Sequence, residues 1–190
     1  DTYSSVAAAL GSLKGPRHGG ANIKVVQMFD DMKNSINTKD KAQIKDYIAR
    51  LLNKEAFDNA GLVYGMGHAI YSKSDPRADI LKECAKELSH AKHHDEDFEL
   101  YETVATYAPE IIAEKRKMYK GVSPNVDFYS GLIYKTLQLP LELYTPLFAI
   151  ARIAGWSAHR IEEIQNNGKI IRPAYINVLE EREYRGISER

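Results

Sequence analysis

Two histidines and one aspartate, each next to glycines or turn residues, are the side chains of this sequence best suited to acid–base chemistry. His18 stands in GPRHGGAN, His68 in YGMGHAIYSKSDPR, and Asp127 in SPNVDFYS. A carboxylate among apolar neighbours is costly to bury unless it is paired or used in chemistry. Asp127 is therefore predicted either to act in a reaction or to cap the helix that follows it. For His18 the alternative is a turn histidine exposed to water.

Arginines near these segments add the chemistry of anion binding. Arg77 follows His68 at the start of a predicted helix, and Arg152 lies within the apolar pattern LFAIARIAGW. An imidazole donates to a carbonyl oxygen and a guanidinium fork clamps a carboxylate, so His68 and Arg77 together suit a small dianion. For Arg152 the alternative is a structural salt bridge to Glu162, Glu163 or another acid.

The remaining histidines and the cysteine are predicted to be structural. His90, His93 and His94 have spacings that a metal could use, but no ordered ligand set accompanies them, so a solvated helix end is expected and no metal site is predicted. Cys84 falls on an apolar helix stripe and is interpreted as core. His159 is interpreted as a packed side chain.

The spacing of apolar residues predicts a mostly α protein. Helical stripes are formed by Val25, Met28, Met32 and Ile36, by Ile44, Ile48, Leu51 and Leu52, by Ile80, Leu81, Cys84 and Leu88, and by Phe98, Tyr101, Val104 and Tyr107. The first of these helices is predicted to begin after Gly20 and the second at Asn37 or Thr38. The third is predicted to begin at Asp75 and Pro76, a capping acid followed by a proline at the first helical position.

Breaks and extended segments are also predicted. Pro109 is expected to end or restart the fourth helix, and Pro140 and Gly155 to interrupt a well-buried apolar region from residue 128 to residue 164. Segments 62–71 and 168–176 each suit a short strand or an extended loop.

Bulk properties restrict the function. The chain has 190 residues with 26 Lys plus Arg and 26 Asp plus Glu, a formal net charge of zero that argues against a general nucleic-acid or membrane-surface role. No apolar run approaches the ~18 residues of a membrane helix. The single cysteine excludes an intrachain disulfide and favours the cytoplasm.

Taken together and in this order, GPRHGGAN, GMGHAIYSKSDPR, PNVDFYSG, LFAIARIAGWSAHRIEE and IIRPAYI resemble the citrate synthase family, with the bacterial branch shared with 2-methylcitrate synthases the most similar. The resemblance implies an acyltransferase that condenses acetyl-CoA with oxaloacetate and water to give citrate and CoA, the entry step of the tricarboxylic acid cycle. It implies no cofactor, because acetyl-CoA is a substrate.

The resemblance also implies residue roles. The catalytic residues would be Asp127, the base at the acetyl methyl group, His18, the donor to the thioester oxygen, and His68, the donor to the ketone of oxaloacetate. The substrate carboxylates would be bound by Arg77, Arg152 and Arg172, with Arg172 reaching into the partner subunit of a homodimer. The residues expected to bind CoA are Val63, Tyr64, Gly65, Met66, Gly67 and Lys120.

The resemblance implies a citrate synthase-like helical fold and a chain that is the C-terminal part of such an enzyme. Residues 1–18 would end a large-domain segment, residues 19–138 would form the small domain, and residues 139–190 would return to the large domain. Two alternatives stay open. One is a 2-methylcitrate synthase that uses propionyl-CoA, and the other is a catalytically incomplete fragment for CoA binding or dimerisation.

Overall fold

The structure, a computed structural model, describes residues 1–14, 20–71, 73–117, 121–174, 176 and 178–189. These residues divide into two compact units, Asp1–Ile153 and Ala154–Arg190. The described residues contain helices and no β-strand, apart from an isolated antiparallel bridge between Met66 and Pro124. The prediction of a mostly α protein is therefore confirmed.

The helices follow one another along the chain, with the long connection 53–75 between the third and the fourth. They are α1 Thr2–Ser12, α2 Ala21–Ser35, α3 Lys41–Leu52, α4 Pro76–Ala91, α5 Asp95–Arg116, α6 Val126–Thr136 and α7 Tyr144–Gln165, with short 3-10 helices at Leu141–Leu143 and Ile187–Glu189. Segment 62–71 forms an extended loop with turns, the second of its two predicted alternatives. None of the described helices is both long enough and apolar enough to cross a membrane.

The core lies where α6 packs against α2 and α4 while α5 packs against α3. Its centre is a cluster of aromatic rings: Phe29 stacks on Tyr101 with ring centroids 3.5 Å apart, and Phe128 meets both rings edge to face. All three side chains are almost completely buried. Because each large aromatic side chain removes much apolar area from water, this cluster fixes α6 on α2 and α5.

The predicted helix starts are largely confirmed. α2 begins directly after Gly20, and Val25, Met28 and Met32 are fully buried as predicted. The start of α3 at Asn37 or Thr38 was wrong, because the carboxylate of Asp40 accepts the backbone N–H groups that open this helix.

The predicted stripe of α4 was wrong for Ile80 and Cys84, whereas Leu81 packs against the core as predicted and Leu88 is half-buried. Ile80 is 68% exposed and Cys84 is exposed, whereas Ala78, Ala85 and Ser89 are buried. α4 turns its small residues toward α6, which lets the two helix backbones approach closely. Cys84 is therefore not a core residue.

Neither Pro109 nor Gly155 breaks its helix. α5 runs through Pro109 although proline cannot donate to the carbonyl of Ala105, and the buried Val104, Ala108 and Ile112 on both sides hold the helix on the core. α7 runs through Gly155, where glycine weakens a helix by only about 1 kcal/mol relative to alanine. Pro140 does interrupt the helical region, because it lies between the end of α6 and the 3-10 helix Leu141–Leu143.

The expected burial of the last helical region was wrong for most of α7. Tyr144 and Ala149 are its buried residues, whereas Ile150 is 69% exposed. In the second unit His159 is exposed and its ring lies 3.4 Å from a carboxylate oxygen of Glu162, so it is not packed as predicted. An apolar pattern indicates which face can be buried, but burial also requires a surface packed against that face.

A backbone junction joins the loop after residue 62 to the start of α6. Gly67 N–H donates to the carbonyl of Ser123 at 2.8 Å, and Asn125 N–H donates to the carbonyl of Gly65 at 2.8 Å. Gly65 has a φ of +80°, and a Cβ there would lie 2.9 Å from side-chain carbons of Phe128 and Val25. Only glycine satisfies both the left-handed conformation and this close approach.

Gly65→Ala is expected to destabilise the protein by about 2–5 kcal/mol, because the left-handed conformation and the overpacking both oppose a Cβ. Denaturant unfolding measures this change. The matched control is Gly67→Ala, which has a similar φ of +84° but whose Cβ would meet its nearest neighbour, Val122, only at 3.8 Å. The control should cost about 1–2 kcal/mol. Equal costs for both variants would contradict the close-packing explanation.

Asp75 makes the stability of the protein dependent on pH. Its buried carboxylate caps α4 by accepting Arg77 N–H at 3.0 Å and pairs with the Arg77 guanidinium. The hydrogen bonds from this guanidinium lower the pKa of Asp75 below its ordinary 3.8. The resulting stabilisation is complete above pH 3.8 and is lost as the pH falls through the lowered folded-state pKa.

Asp75→Asn keeps an oxygen for the helix cap but loses the charge, and should lower the free energy of unfolding near neutral pH by about 2 kcal/mol. The loss should shrink as the pH falls below 3.8 and through the lowered pKa of Asp75, because the wild-type carboxylate then also becomes protonated. Denaturant unfolding across this range measures the difference, with Asp46→Asn on the exposed face of α3 as the control. A cost for Asp75→Asn that stays the same at every pH would contradict this assignment.

Candidate active site

A cavity of about 340 Å³ lies in the first unit and brings predicted site residues from separate segments together. Its lining consists of Leu13, Gly20, Ala21, Asn22, His68, Arg77, Val126, Asp127, Thr145, Phe148 and Arg152. The contributing elements are the N-terminal ends of α2, α4 and α6, the loop before α4, and the first half of α7. Helix N-termini carry positive partial charge, so this cavity suits an anionic ligand.

The hydrogen bonds of His68 determine which of its nitrogens carries the proton. Nδ1 accepts the backbone N–H groups of Ile70 at 3.1 Å and Tyr71 at 3.3 Å. A nitrogen that accepts these bonds cannot itself carry the proton, so the neutral ring carries it on Nε2. Nε2 lies on the side of Arg77, whose Nη2 is 3.5 Å away. The neutral imidazole is therefore a hydrogen-bond donor through Nε2.

Arg77 is held in position by Asp75. Its Nε donates to Oδ1 of Asp75 at 3.0 Å and its Nη2 donates to Oδ2 at 2.8 Å. The centre of the guanidinium also lies 5.5 Å from the ring centroid of Tyr71. The Asp75 side chain is fully buried, whereas the Arg77 side chain is 47% exposed. A fixed guanidinium with an exposed edge is suited to binding a ligand carboxylate with little loss of conformational entropy.

Asp127 lies in the first turn of α6, where Asn125 rather than Asp127 caps the helix by accepting Asp127 N–H at 2.9 Å. Burial raises the pKa of Asp127 above its ordinary value, and the positive charges of Arg77 and Arg152 oppose this shift. The apolar neighbours seen in the sequence thus do raise the pKa. A carboxylate with a raised pKa is a stronger base than an ordinary aspartate.

Arg152 lies on α7 and faces the same cavity. Its Nη1 donates to the carbonyl of Phe148 at 2.9 Å, and its guanidinium lies 5.1 Å from the centroid of the Phe148 ring. Its positive charge also acts on Asp127. His68, Arg77, Asp127 and Arg152 therefore line one cavity, although they are far apart in the sequence.

Three further predicted site residues are His18, Lys120 and Arg172. His18 and Lys120 lie outside the described residues. Arg172 belongs to the second unit, where it is exposed in an extended segment. The histidines His90, His93 and His94 are exposed, as expected for a solvated helix end. Within the described part of the chain, no group of His, Cys, Asp and Glu side chains is arranged to hold a metal ion.

The predicted CoA-binding run Val63–Gly67 forms the junction with the start of α6. Val63 and Gly65 are buried, and Met66 packs against the core. Tyr64 donates its hydroxyl to a carboxylate oxygen of Asp58 at 2.7 Å. The carbonyl of Gly65 and the N–H of Gly67 already have partners within the chain. Recognition of CoA by this run stays a prediction.

Sequence reasoning missed two polar residues in this region. Asn22 lines the cavity from the first turn of α2 and is 98% buried, and its Nδ2 group has no hydrogen-bond partner among the residues that the structure describes. Asn125 precedes α6, and its side chain contacts both the His68 loop and α6. Each asparagine stands beside a predicted catalytic segment, in HGGAN and in PNVD, which is the signal that was available.

Comparison with known proteins gives consistent relatives. The family described as "Citrate synthase, C-terminal domain" matches residues 1–174. The chain is 41% identical over 179 residues to a citrate synthase of Synechocystis sp., covering 94% of this chain and 41% of that protein. It is 38% identical over 191 residues to 2-methylcitrate synthase 2 of Corynebacterium glutamicum, covering 100% of this chain and 45% of that protein.

Solved structures show the same likeness. A ternary complex of carboxymethyl coenzyme A and oxaloacetate with the citrate synthase of Thermoplasma acidophilum superposes with a TM-score of 0.76 at 34% identity, covering 100% of this chain and 47% of that one. Citrate synthase from Thermotoga maritima gives a TM-score of 0.74 at 31% identity, covering 100% of this chain and 48% of that one. The chain thus spans less than half the length of these relatives. With its predicted helical fold confirmed, this chain belongs to the citrate synthase family.

Proposed function

We propose that this protein is a citrate synthase, an acyltransferase that condenses acetyl-CoA with oxaloacetate and water to give citrate and CoA. The chain would supply the C-terminal part of the enzyme. The observation that carries the proposal is the cavity shared by a carboxylate of raised pKa, a histidine donor and two guanidinium groups. A base beside cationic groups is what deprotonation next to a thioester and capture of a diacid both require.

In the proposed first step, Asp127 removes a proton from the acetyl methyl group. A thioester α-proton is weakly acidic, so the base needs a donor that stabilises the oxygen as the enol forms, and His18 is proposed for that role. Burial raises the pKa of Asp127, which strengthens the base. The positive charges of Arg77 and Arg152 oppose this shift, because they favour the ionised carboxylate that the first step requires.

In the proposed second step, the enol carbon attacks the ketone of oxaloacetate. The Nε2–H of His68 would donate to the ketone oxygen and make its carbon more electrophilic, which agrees with the backbone bonds that occupy Nδ1. Arg77 and Arg152 would bind the carboxylates, and Arg172 would complete the set from the partner subunit of a homodimer. Hydrolysis of the citryl thioester then releases citrate and CoA.

Further parts of the proposal rest on the family likeness. The run Val63–Gly67 and Lys120 would bind CoA, and residues 19–138 would form the small domain between large-domain segments 1–18 and 139–190. The reaction would belong to the tricarboxylic acid cycle and use no cofactor beyond its substrates. The cytoplasm is proposed as its location because the chain has a single cysteine, Cys84.

Asp127→Asn should lower the turnover of the protein, in the form its native cell makes it, by about 10³-fold or more, because an amide cannot accept the methyl proton. Release of free CoA thiol from acetyl-CoA and oxaloacetate measures turnover. Thermal unfolding should change little, since Asn125 provides the helix cap. Asp46→Asn, on the exposed face of α3, is the matched control and should keep wild-type turnover.

Near-normal citrate formation by Asp127→Asn would contradict the role of Asp127 as base. A wild-type protein that binds CoA by calorimetry but releases no thiol would instead support the alternative of a CoA-binding or dimerisation module.

A 2-methylcitrate synthase is the second candidate, because 2-methylcitrate synthase 2 of Corynebacterium glutamicum is 38% identical to this chain, the same identity as the citrate synthase of Thermoplasma acidophilum. One methylene in a pocket changes discrimination by about 1–3 kcal/mol, or roughly 10- to 200-fold. Under the main proposal, kcat/KM with acetyl-CoA should exceed that with propionyl-CoA by at least about 10-fold. The reverse order, measured by thiol release with oxaloacetate in excess, would identify propionyl-CoA as the substrate.

A further inference from the structure

We propose that Asn125 is a positioning residue, whose side-chain amide sets the placement of Asp127 relative to the His68 loop. The inference rests on the proposed function in one respect only, that these two side chains act on the same pair of substrates. The geometric part stands on contacts within the first unit.

The Asn125 side chain spans two segments that carry site residues. Its Nδ2 donates to the carbonyl of Gly67 at 2.8 Å, and Gly67 directly precedes His68. Its Oδ1 accepts the N–H of Asp127 itself at 2.9 Å. One planar amide therefore joins the residue before the proposed electrophilic helper to the proposed base. Along the chain, these two segments are separated by the helices α4 and α5.

Other contacts hold the same two segments together. The backbone bonds Gly67 N–H to Ser123 O and Asn125 N–H to Gly65 O join the two sides of the junction, and Phe128 of α6 packs closely on Gly65. None of these contacts involves Asp127 itself. The Asn125 amide is the bond that continues from the junction into the first turn of α6, and it fixes the rotation of that turn against the loop.

The chemistry of asparagine explains why this residue type is needed. Bridging requires one donor for the Gly67 carbonyl and one acceptor for the Asp127 N–H on the same short side chain, and an amide offers both. Aspartate and serine cap helices about as well as asparagine does. However, an ionised aspartate has no donor, and a serine hydroxyl is too short to serve both partners. The cap and the bridge can therefore be separated by substitution.

Loss of the bridge should change the surroundings of Asp127. The ionisable groups that act on it are Arg77 and Asp75 at the start of α4, Arg152 on α7 and His68 in the loop, and Asp127 in turn raises the pKa of Tyr134 on α6. The three basic groups lower its pKa, and the first turn of α6 can relax away from the loop and α4 when the bridge is removed. The pKa of Asp127 should then rise, and the acid limb of the pH–rate profile should move to higher pH.

Asn125→Ser tests the bridge, because it keeps a capping oxygen and loses the donor to Gly67. We expect a fall in kcat of about 10- to 100-fold, the range given by a displacement of roughly 1 Å between reacting groups. The acid limb of the pH profile of kcat should move to higher pH. The titration midpoint of the Asp127 carboxyl carbon, followed by ¹³C NMR, should also move to higher pH. The free energy of unfolding should change little, since the cap is kept.

Asp40→Ser is the matched control. Asp40 caps α3 and also accepts a bond from the side chain of Gln43 at 3.0 Å, so this substitution likewise keeps a cap and loses a second side-chain bond. None of the cavity residues lies on α3. Turnover and the pH profile should match the wild type. Asn125→Asp is the second variant if the serine variant fails to fold, because it keeps the cap and also lacks the donor.

Three outcomes are informative. Unchanged kcat, pH profile and Asp127 titration in both Asn125 variants overturn the inference. A loss of activity that only follows the unfolded fraction, with an unmoved titration, also overturns it and makes Asn125 structural. If the wild type forms no citrate, the proposed function fails, whereas a raised pKa of Asp127 in the NMR titration of Asn125→Ser would still support the bridge.

Discussion

The close contact between Gly65 and Phe128 is the constraint on which the rest of the first unit depends. Phe128 belongs to the aromatic cluster with Phe29 and Tyr101, so the core fixes α6, and α6 in turn fixes the loop that leads to His68. A side chain at position 65 would push this loop outward. Close packing transmits such a displacement because interiors have few voids to absorb it. The packing of the core is thereby coupled to the geometry of the cavity.

The buried carboxylate of Asp75 performs a related task on the other side of the cavity. It caps α4 by accepting a backbone N–H of the first turn, and it accepts two hydrogen bonds from the Arg77 guanidinium. A buried charge is tolerated only when it is paired and hydrogen-bonded, and Asp75 meets both conditions within its own helix turn. The negative charge of Asp75 raises the pKa of Asp127, and the positive charge of Arg77 lowers it, so the two charges partly cancel at Asp127. The basicity of Asp127 thus reflects a balance among burial, two arginines, a histidine and a second carboxylate.

The architecture explains how a short set of helices supports a polar cavity. α2, α4 and α6 all direct their N-terminal ends toward it, so partial positive charge from three helices surrounds the place where anions would bind. The side chains add charge and hydrogen-bond donors to this field. α7 also carries apolar residues that remain exposed, such as Ile150 and Ile153. The described part of the first unit therefore buries only some of the apolar residues on this helix.

The sequence by itself determined the helical class, the start of α2 at Gly20, the cap at Asp75, and the family through ordered motifs that contain His68, Arg77, Asp127 and Arg152. These features are local, because caps, periodicity and motifs are written in neighbouring residues. Only the tertiary structure decided that α4 buries Ala78 and Ala85 instead of Ile80 and Cys84, and that α5 continues through Pro109. It also gave Asn125 two partners on different segments. Burial and cross-segment hydrogen bonds depend on which surfaces meet, and that information is spread over residues distant in the chain.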